Sequence, residues 1–457
     1  MQKKETIKKY RTKVLLGTFV ILLLFFSFVF CSCSSFFERK APTKERLVQN
    51  ISQIDGDWDT VARFLYEWEF PTFNEDKFVA IERCVGMYYC GELPAKREVA
   101  RTCANLFVEY FYDGIDLKNS AVVTDALLTC YMASFGDRYA NYKNAAAYED
   151  FSSEMSGEEQ FVGVGVRVRK TKEGAPYIAS VINGSPAERA GLKRGDVIIS
   201  VDGAVADQCG YEETVKLIAG KEGEPVAICV SRDGELLTVV PDRESVDDAT
   251  VIYSFDAESG YGLIEILSFK ERTDDDFKIA VDTLVNLGAK GLVFDLRNNL
   301  GGILDTVVNM ISYLVDDGLP VVSYKYNGQP EIVLDSGTDG HRLDLPMVVI
   351  TNEYTASAAE IFVAALRDYE MMEGTGVEVT IVGKTSFGKG VMQKVFGFAD
   401  GSVITLTVAY YNPPSGENYH GVGVFPDTEV ENDLSVNGDA QLDCAFDAMD
   451  EYFKVTN

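Results

Sequence analysis

Polar and apolar residues follow four successive patterns along this chain. An uncharged apolar run extends from Val14 to about Cys31. Its length of about 18 residues is close to the ~20 that cross a bilayer core as a helix. Between Glu45 and Tyr148, apolar residues recur at three and four spacing, as in Val99, Cys103, Leu106, Phe107 and Tyr110. That period predicts helices. From Glu159 the period becomes two. Phe161 to Arg169 and Tyr177 to Val181 read as strands, followed by a short helix opened by Pro186 and ended by Gly191. Strands at Asp196–Val201, Val226–Val230 and Leu236–Val240 and a helix at Glu212–Ile218 complete this block. From Val251 onward, strands and helices alternate. Strands fall at Tyr261–Ile266, Gly291–Leu296 and Met347–Ile350, and helices at Asp274–Leu287, Val307–Leu314 and Ala358–Asp368. Such alternation predicts an α/β domain with functional groups at strand ends and helix starts. The expected organisation is therefore 1–13, 14–31, a tether and helical domain at 32–158, a mainly β domain with two helices at 159–244, an α/β core at 245–430 and a helical tail at 431–457.

Charge gives the apolar run its direction. Acidic residues outnumber basic ones, 71 to 42, for a formal charge of −29. Such a surface repels phosphate backbones, so no nucleic-acid partner is expected. The amino terminus reverses the sign, with Lys3, Lys4, Lys8, Lys9, Arg11 and Lys13 before the run. Basic flanks stay cytoplasmic. The expectation is a single-pass signal anchor at 14–31 in the cell membrane, with the bulk of the chain extracytoplasmic. A cleaved signal peptide and lipidation at Cys33 compete with it. No clear small-x-small site precedes a mature start, and Phe30 and Cys31 make a poor lipobox. The nine cysteines form no CxxC pair, so neither a metal nor a cofactor is expected. Histidine is confined to His341 and His420, which leaves few ways to build a Ser–His–Asp or Cys–His site.

The segment Ser185-Pro186-Ala187 through Gly195-Asp196-Val197-Ile198, with Asp202-Gly203 after it, resembles a PDZ domain. PDZ domains take an extended peptide at a sheet edge and hold its carboxylate in a Gly-rich loop. By that resemblance the loop is Val162, Gly163, Val164, Gly165 and Val166. Read on their own, the two glycines would only permit a tight turn. Ala219 stands where related proteases often carry arginine.

Three motifs sit in turns of the alternating region. They are Asp295-Leu296-Arg297-Asn298-Asn299-Leu300-Gly301-Gly302, Asn352 to Glu360 around Ser357, and Gly383 to Gln393 around Lys389. Together with Ser134-Phe135-Gly136-Asp137-Arg138-Tyr139 and Gly421 to Asp427, they resemble the carboxy-terminal processing peptidases, which are PDZ-containing Ser–Lys serine proteases. The resemblance implies a crotonase/Clp-like α/β core. It also implies Ser357 as nucleophile, Lys389 as base, Gln393 orienting the lysine, and an oxyanion hole from the N–H groups of Gly301, Gly302 and Ala358.

Physical chemistry agrees with those roles. A serine hydroxyl needs a base. Lysine serves only when neutral, and removal from water lowers its reference pKa of about 10.4. Taken alone, a serine before a helix is an N-cap and a lysine between glycines is a solvated turn; their joint order with the Gly-Gly turn favours catalysis. Glu360 is expected to cap or orient the Ser357 helix. Gly383-Lys384-Thr385 resembles a phosphate loop, but Glu378 occupies the glycine position that loop requires. Leu300 replaces the usual proline before the Gly-Gly turn, and Tyr369 to Thr380 looks expanded. The implied function is an endopeptidase acting on protein or peptide substrates with exposed C-termini, with a homodimer as a further expectation. A catalytically silent PDZ scaffold and a non-peptidase acyl hydrolase are the alternatives.

Overall fold

A computed structural model describes residues 42–456, apart from 57–58, 157–159, 172–173, 248, 338–340, 432–433 and 436–437. The basic tail and the apolar run 14–31 lie outside the described residues. Among the described residues no helix is long and apolar enough to cross a membrane.

Contacts divide the chain into two units. The first comprises 42–83 and 93–138, and the second 84–92 and 139–456. The first unit is helical, with Lys44–Ser52, Val61–Glu67, Lys96–Tyr110 and Ser120–Ala133. Three of their starts are capped: Thr43, Thr60 and Asn119 accept backbone N–H bonds from the first turn. Val99, Cys103 and Phe107 form the buried stripe, whereas Tyr110 is exposed at its edge. The break expected at 158 does not match this division. Strand Asn141–Lys143 pairs antiparallel with Val403–Thr405, so residues from Tyr139 onward belong with the second unit.

Within the second unit the PDZ block is a five-strand path: Val166–Lys170, Pro176–Val181, Val197–Val201, Ile228–Arg232 and Glu235–Val239, in that spatial order. Pro186–Arg189 and Tyr211–Ile218 are the two expected helices. A further turn of helix, Ala206–Cys209, is separated from the second by Gly210 at φ +83°. Ile178, Ile198, Ile228 and Val230 fill its core.

The peptidase-like block is a six-stranded sheet in the order Val251–Asp256, Tyr261–Ile266, Gly291–Asp295, Met347–Thr351, Val379–Gly383 and Thr428–Glu429. The first pair is antiparallel and the rest are parallel. Alternation along each strand splits the core in two. Leu292, Phe294, Val349 and Ile381 pack with helices Thr273–Asn286, Leu304–Ser312 and Ala358–Met371. Val293, Val348, Ile350 and Val382 pack with Ala445 and Met449 of helix Ala440–Thr456. The C-terminal segment is therefore not a tail but the second layer of the sandwich, because a parallel sheet must be covered on both faces.

A buried charge cluster joins this layer to the rest. The guanidinium of Arg297 donates to Asp295 and, at 2.6 and 2.7 Å, to both oxygens of Asp439. Arg194 of the PDZ block donates to Glu265 and to Asp439. Burial alone would raise the Asp439 carboxyl, but the bonds and charge of Arg297 and Arg194 outweigh it and hold it down at about 2. Asp439→Asn is expected to destabilise the fold by about 3 kcal/mol near neutrality, since two buried cations lose an anion. A depressed pKa stabilises above the ordinary carboxyl value and loses that contribution as pH falls. The stability gap between wild type and variant should thus narrow, by roughly 2 kcal/mol, between about pH 4 and about pH 2. Urea unfolding at a series of pH values measures this; a gap unchanged over that window would contradict it.

Candidate active site

The candidate residues lie beyond the carboxyl ends of adjacent parallel strands, where such sheets place their sites. Segment 298–302 follows strand Gly291–Asp295, Asn352–Ser357 follows Met347–Thr351, and Lys384–Lys389 follows Val379–Gly383. Short bonds tie the three together. Asn298 N–H donates to Asn352 Oδ1 at 2.9 Å, Thr355 Oγ1 donates to Leu296 O at 2.9 Å, and Phe387 N–H donates to Thr355 O at 2.9 Å.

Ser357 stands at the N-cap of Ala358–Met371 with φ +60° and ψ −121°. An ordinary N-cap is extended. This left-handed conformation costs on the order of 1–3 kcal/mol and is tolerated when surrounding structure enforces it. The enforcing group is Glu360. Its buried carboxylate accepts four hydrogen bonds, at Oε1 from Ser386 Oγ and Gly388 N, both at 2.6 Å, and at Oε2 from Ser357 N at 2.9 Å and Lys389 N at 2.7 Å. The main-chain nitrogens of Ser357 and Lys389 thus share one acceptor oxygen and lie no further apart than the sum of those two distances. Burial pushes the Glu360 carboxyl up from its ordinary range, and the four donors act against that rise.

Lys389 Nζ donates to Gln393 Oε1 at 2.9 Å and lies 5.0 Å from the centre of the Tyr139 ring. Gln393 Nε2 donates to the Tyr139 carbonyl at 2.7 Å. The strand Val391–Gly397 shifts register between Met392 and Gln393, and such a bulge re-aims the side chain that follows it. The buried Tyr411 hydroxyl donates to the Lys389 carbonyl. Its phenol is pushed up by burial. The structure therefore gathers Lys389 with Gln393, and places the Tyr411 hydroxyl on the Lys389 main chain.

The Gly301–Gly302 turn packs directly on the Ser357 segment. A β-carbon at Gly301 would stand 2.7 Å from Ser357 Cβ, and one at Gly302 would stand 2.1 Å from Phe269 O. Both sites have positive φ, +93° and +152°. Gly301 N–H is engaged by Asn299 Oδ1 at 2.8 Å, so it does not point into an oxyanion site in this conformation. Asn299 is fully buried and also donates to Ile266 O, whereas Leu300 is 72% exposed. The missing proline thus falls on the outer side of a turn that Asn299 fastens from within. Tyr139 closes one quoted motif, and Asn299 and Ser386 lie inside two others, but no sequence pattern singled them out. Tyr411 carries no motif at all. Lys384 is turned to Glu429 and Glu431, away from any phosphate role.

The PDZ loop residues form a hairpin-like entry. Val162 and Gly163 belong to strand Gln160–Gly163, paired with Glu244–Asp247. Val164 is buried, and Val166 opens strand Val166–Lys170. A β-carbon on Gly165, at φ +80°, would lie 2.3 Å from Ser185 Cβ, so this glycine seats the loop against the start of Pro186–Arg189.

Residues 260–430 match the model of peptidase family S41, and residues 162–240 that of a PDZ domain. Fold and site thus define an S41 peptidase domain preceded by a PDZ domain. Over about two thirds of its length the chain is similar to carboxy-terminal processing peptidases. The carboxy-terminal processing protease CtpA of Bacillus subtilis is 33% identical over 310 residues, covering 68% of this chain and 64% of that protein. A CtpA-like serine protease of Staphylococcus haemolyticus is 30% identical over 329 residues, covering 71% of this chain and 64% of that protein. The aligned part is less than two thirds of either relative. An S41-type structure from Bacteroides fragilis covers 82% of this chain and 97% of its own, at a TM-score of 0.54 and 19% identity, which shows a shared fold.

Proposed function

We propose that this chain is a membrane-anchored serine endopeptidase of the C-terminal processing type, acting through a Ser357–Lys389 dyad. The observation that carries the reading is the shared Glu360 oxygen, which draws the Ser357 and Lys389 backbones together. In this mechanism neutral Lys389 takes the Ser357 proton as Oγ attacks the scissile carbonyl. The N–H groups of Gly302 and Ala358, at a helix start, stabilise the resulting oxyanion. Protonated Lys389 then gives its proton to the leaving amine, and water releases the acyl group by the same route. Gln393, fixed on Tyr139, keeps the amine aimed. Substrate tails dock on the PDZ groove, and the 14–31 run holds the enzyme at the membrane with its site outside the cytoplasm.

A serine-directed fluorophosphonate is expected to label the purified chain on Ser357, located by peptide mass mapping, and to abolish casein cleavage in proportion. Cleavage that survives full labelling would remove Ser357 as nucleophile. No cleavage and no labelling would leave the chain a PDZ scaffold.

A further inference from the structure

We propose that Tyr139 is a positioning residue for the reaction, and that its ring face stabilises the ammonium which Lys389 becomes as Ser357 attacks. This rests on the reading of Ser357 and Lys389 as a dyad, and it adds a group that acts on the base. Tyr139 holds the amine in two separable ways. Its carbonyl accepts from Gln393 Nε2 at 2.7 Å, and Gln393 Oε1 in turn accepts from Lys389 Nζ at 2.9 Å. Its ring centre stands 5.0 Å from the same Nζ, within the ~6 Å at which a cation is drawn to the negative face of an aromatic ring. The first contact uses the main chain and survives substitution at 139. The second belongs to the side chain alone.

Strand register brings the ring there. Asn141 faces Thr405, and continuing that antiparallel pairing by two residues sets Tyr139 level with Thr407. Gln393 pairs with Thr407 from strand Val391–Gly397. The ring is itself packed: the His420 ring lies 6.2 Å from it at 56°, and the Tyr410 ring 5.6 Å from that of His420. The His420 segment is fastened to the lysine loop. Asn418 Nδ2 donates to Gly390 O at 3.0 Å, and a β-carbon at Gly390 would stand 2.9 Å from His420 N. Amine, ring and His420 thus belong to one packed cluster.

The chemistry decides when the ring matters. Before attack the base is a neutral amine, for which the ring quadrupole does little. As Oγ bonds to the scissile carbon, the Ser357 O–H bond breaks and its proton joins the Nζ lone pair. The new positive charge appears beside the ring. A contact that strengthens as charge develops lowers the barrier instead of only binding the ground state. The same contact stabilises the ammonium in the free enzyme, so it raises the pH at which the base becomes neutral. Glu360 and Tyr411 meet Lys389 at its main chain, where Glu360 accepts the N–H and Tyr411 donates to the carbonyl. Tyr139 meets it at the reacting nitrogen.

The test is the pH profile of kcat/KM for a quenched peptide, in the full chain as wild type, Tyr139→Phe and Tyr139→Leu. Tyr139→Leu is expected to lower the alkaline plateau by about three- to tenfold and to move the inflection down by roughly 0.5–1 pH unit, the size of one cation–π contact. The two profiles should therefore converge on the acid side. Tyr139→Met, which fills similar space without a ring, should match Tyr139→Leu. Tyr139→Phe keeps the ring face and should follow wild type. A merely structural tyrosine would lower the whole profile evenly and leave the inflection in place, and that result overturns the assignment. So does an inflection that moves in His420→Gln but not in Tyr139→Leu, since the titrating group is then His420. If Lys389→Arg keeps its activity, the dyad itself fails and the role of Tyr139 falls with it. A silent Lys389→Arg beside an unmoved inflection in Tyr139→Leu rejects the ring alone.

Discussion

Lys389→Arg is expected to silence peptide hydrolysis as fully as Ser357→Ala, each lowering kcat by about 10⁴-fold or more. Arginine keeps the positive charge and can still donate to Gln393 Oε1 and lie on the Tyr139 face, the contacts Lys389 makes now. It cannot surrender a proton near neutrality, so it cannot serve as the base. A merely structural lysine would tolerate this exchange. In the proposed dyad, nucleophile and base act as one unit, so the double variant should be no slower than either single one. Steady-state hydrolysis of a quenched peptide measures the loss, with thermal melting as the control for folding. Activity of Lys389→Arg within tenfold of wild type would remove Lys389 from the role of base.

The second large effect concerns Glu360. Glu360→Gln is nearly isosteric, yet a carboxamide has one acceptor oxygen, and four donors converge on this side chain. Whichever way the amide turns, at least one buried backbone N–H faces an N–H₂ group. Leaving such a donor unpaired costs about 1–3 kcal/mol. The strain does not stay local, since one oxygen holds both Ser357 N and Lys389 N. We expect kcat to fall by about 10²-fold, the effect of a misplacement near 1 Å, with KM little changed because the Glu360 carboxylate is buried behind the site and reaches no substrate. Fluorophosphonate labelling of Ser357 should slow in parallel. A Glu360→Gln enzyme with wild-type kcat would show that the convergence is not needed for alignment.

The parts legible in the sequence are those written in contiguous residues. Two glycines after a buried strand announce a backbone turn close to something, and Gly301 and Gly302 do press on Ser357 and Phe269. The small residues around Ser357 and the spacing of Lys389 and Gln393 fall into place for the same reason. Glu360 was legible as a cap but not as a hub, because its donors Ser386, Gly388 and Lys389 lie far along the chain and meet it only through parallel strand order. Tyr411 comes from a second sheet, and Tyr139 from the turn before Asn141–Lys143, which pairs antiparallel with it, a pairing no local period encodes. The final helix shows an amphipathic pattern that suits a solvated tail equally well; only the bare second face of the sheet makes it a layer.

The groove wall formed by Leu267, Ser268 and Lys270 bears on modularity. A PDZ block cut out at 159–244 would carry away only one wall of the cavity that it shares with those residues. It would also take Arg194 from Glu265 and Asp439, leaving buried carboxylates short of a cation. A foreign PDZ module grafted here should therefore leave that cavity with mismatched walls unless Val246, Ala249, Leu267, Ser268 and Lys270 are redesigned with it. In this chain the unit of exchange is a domain together with the strip of its neighbour that it reads against.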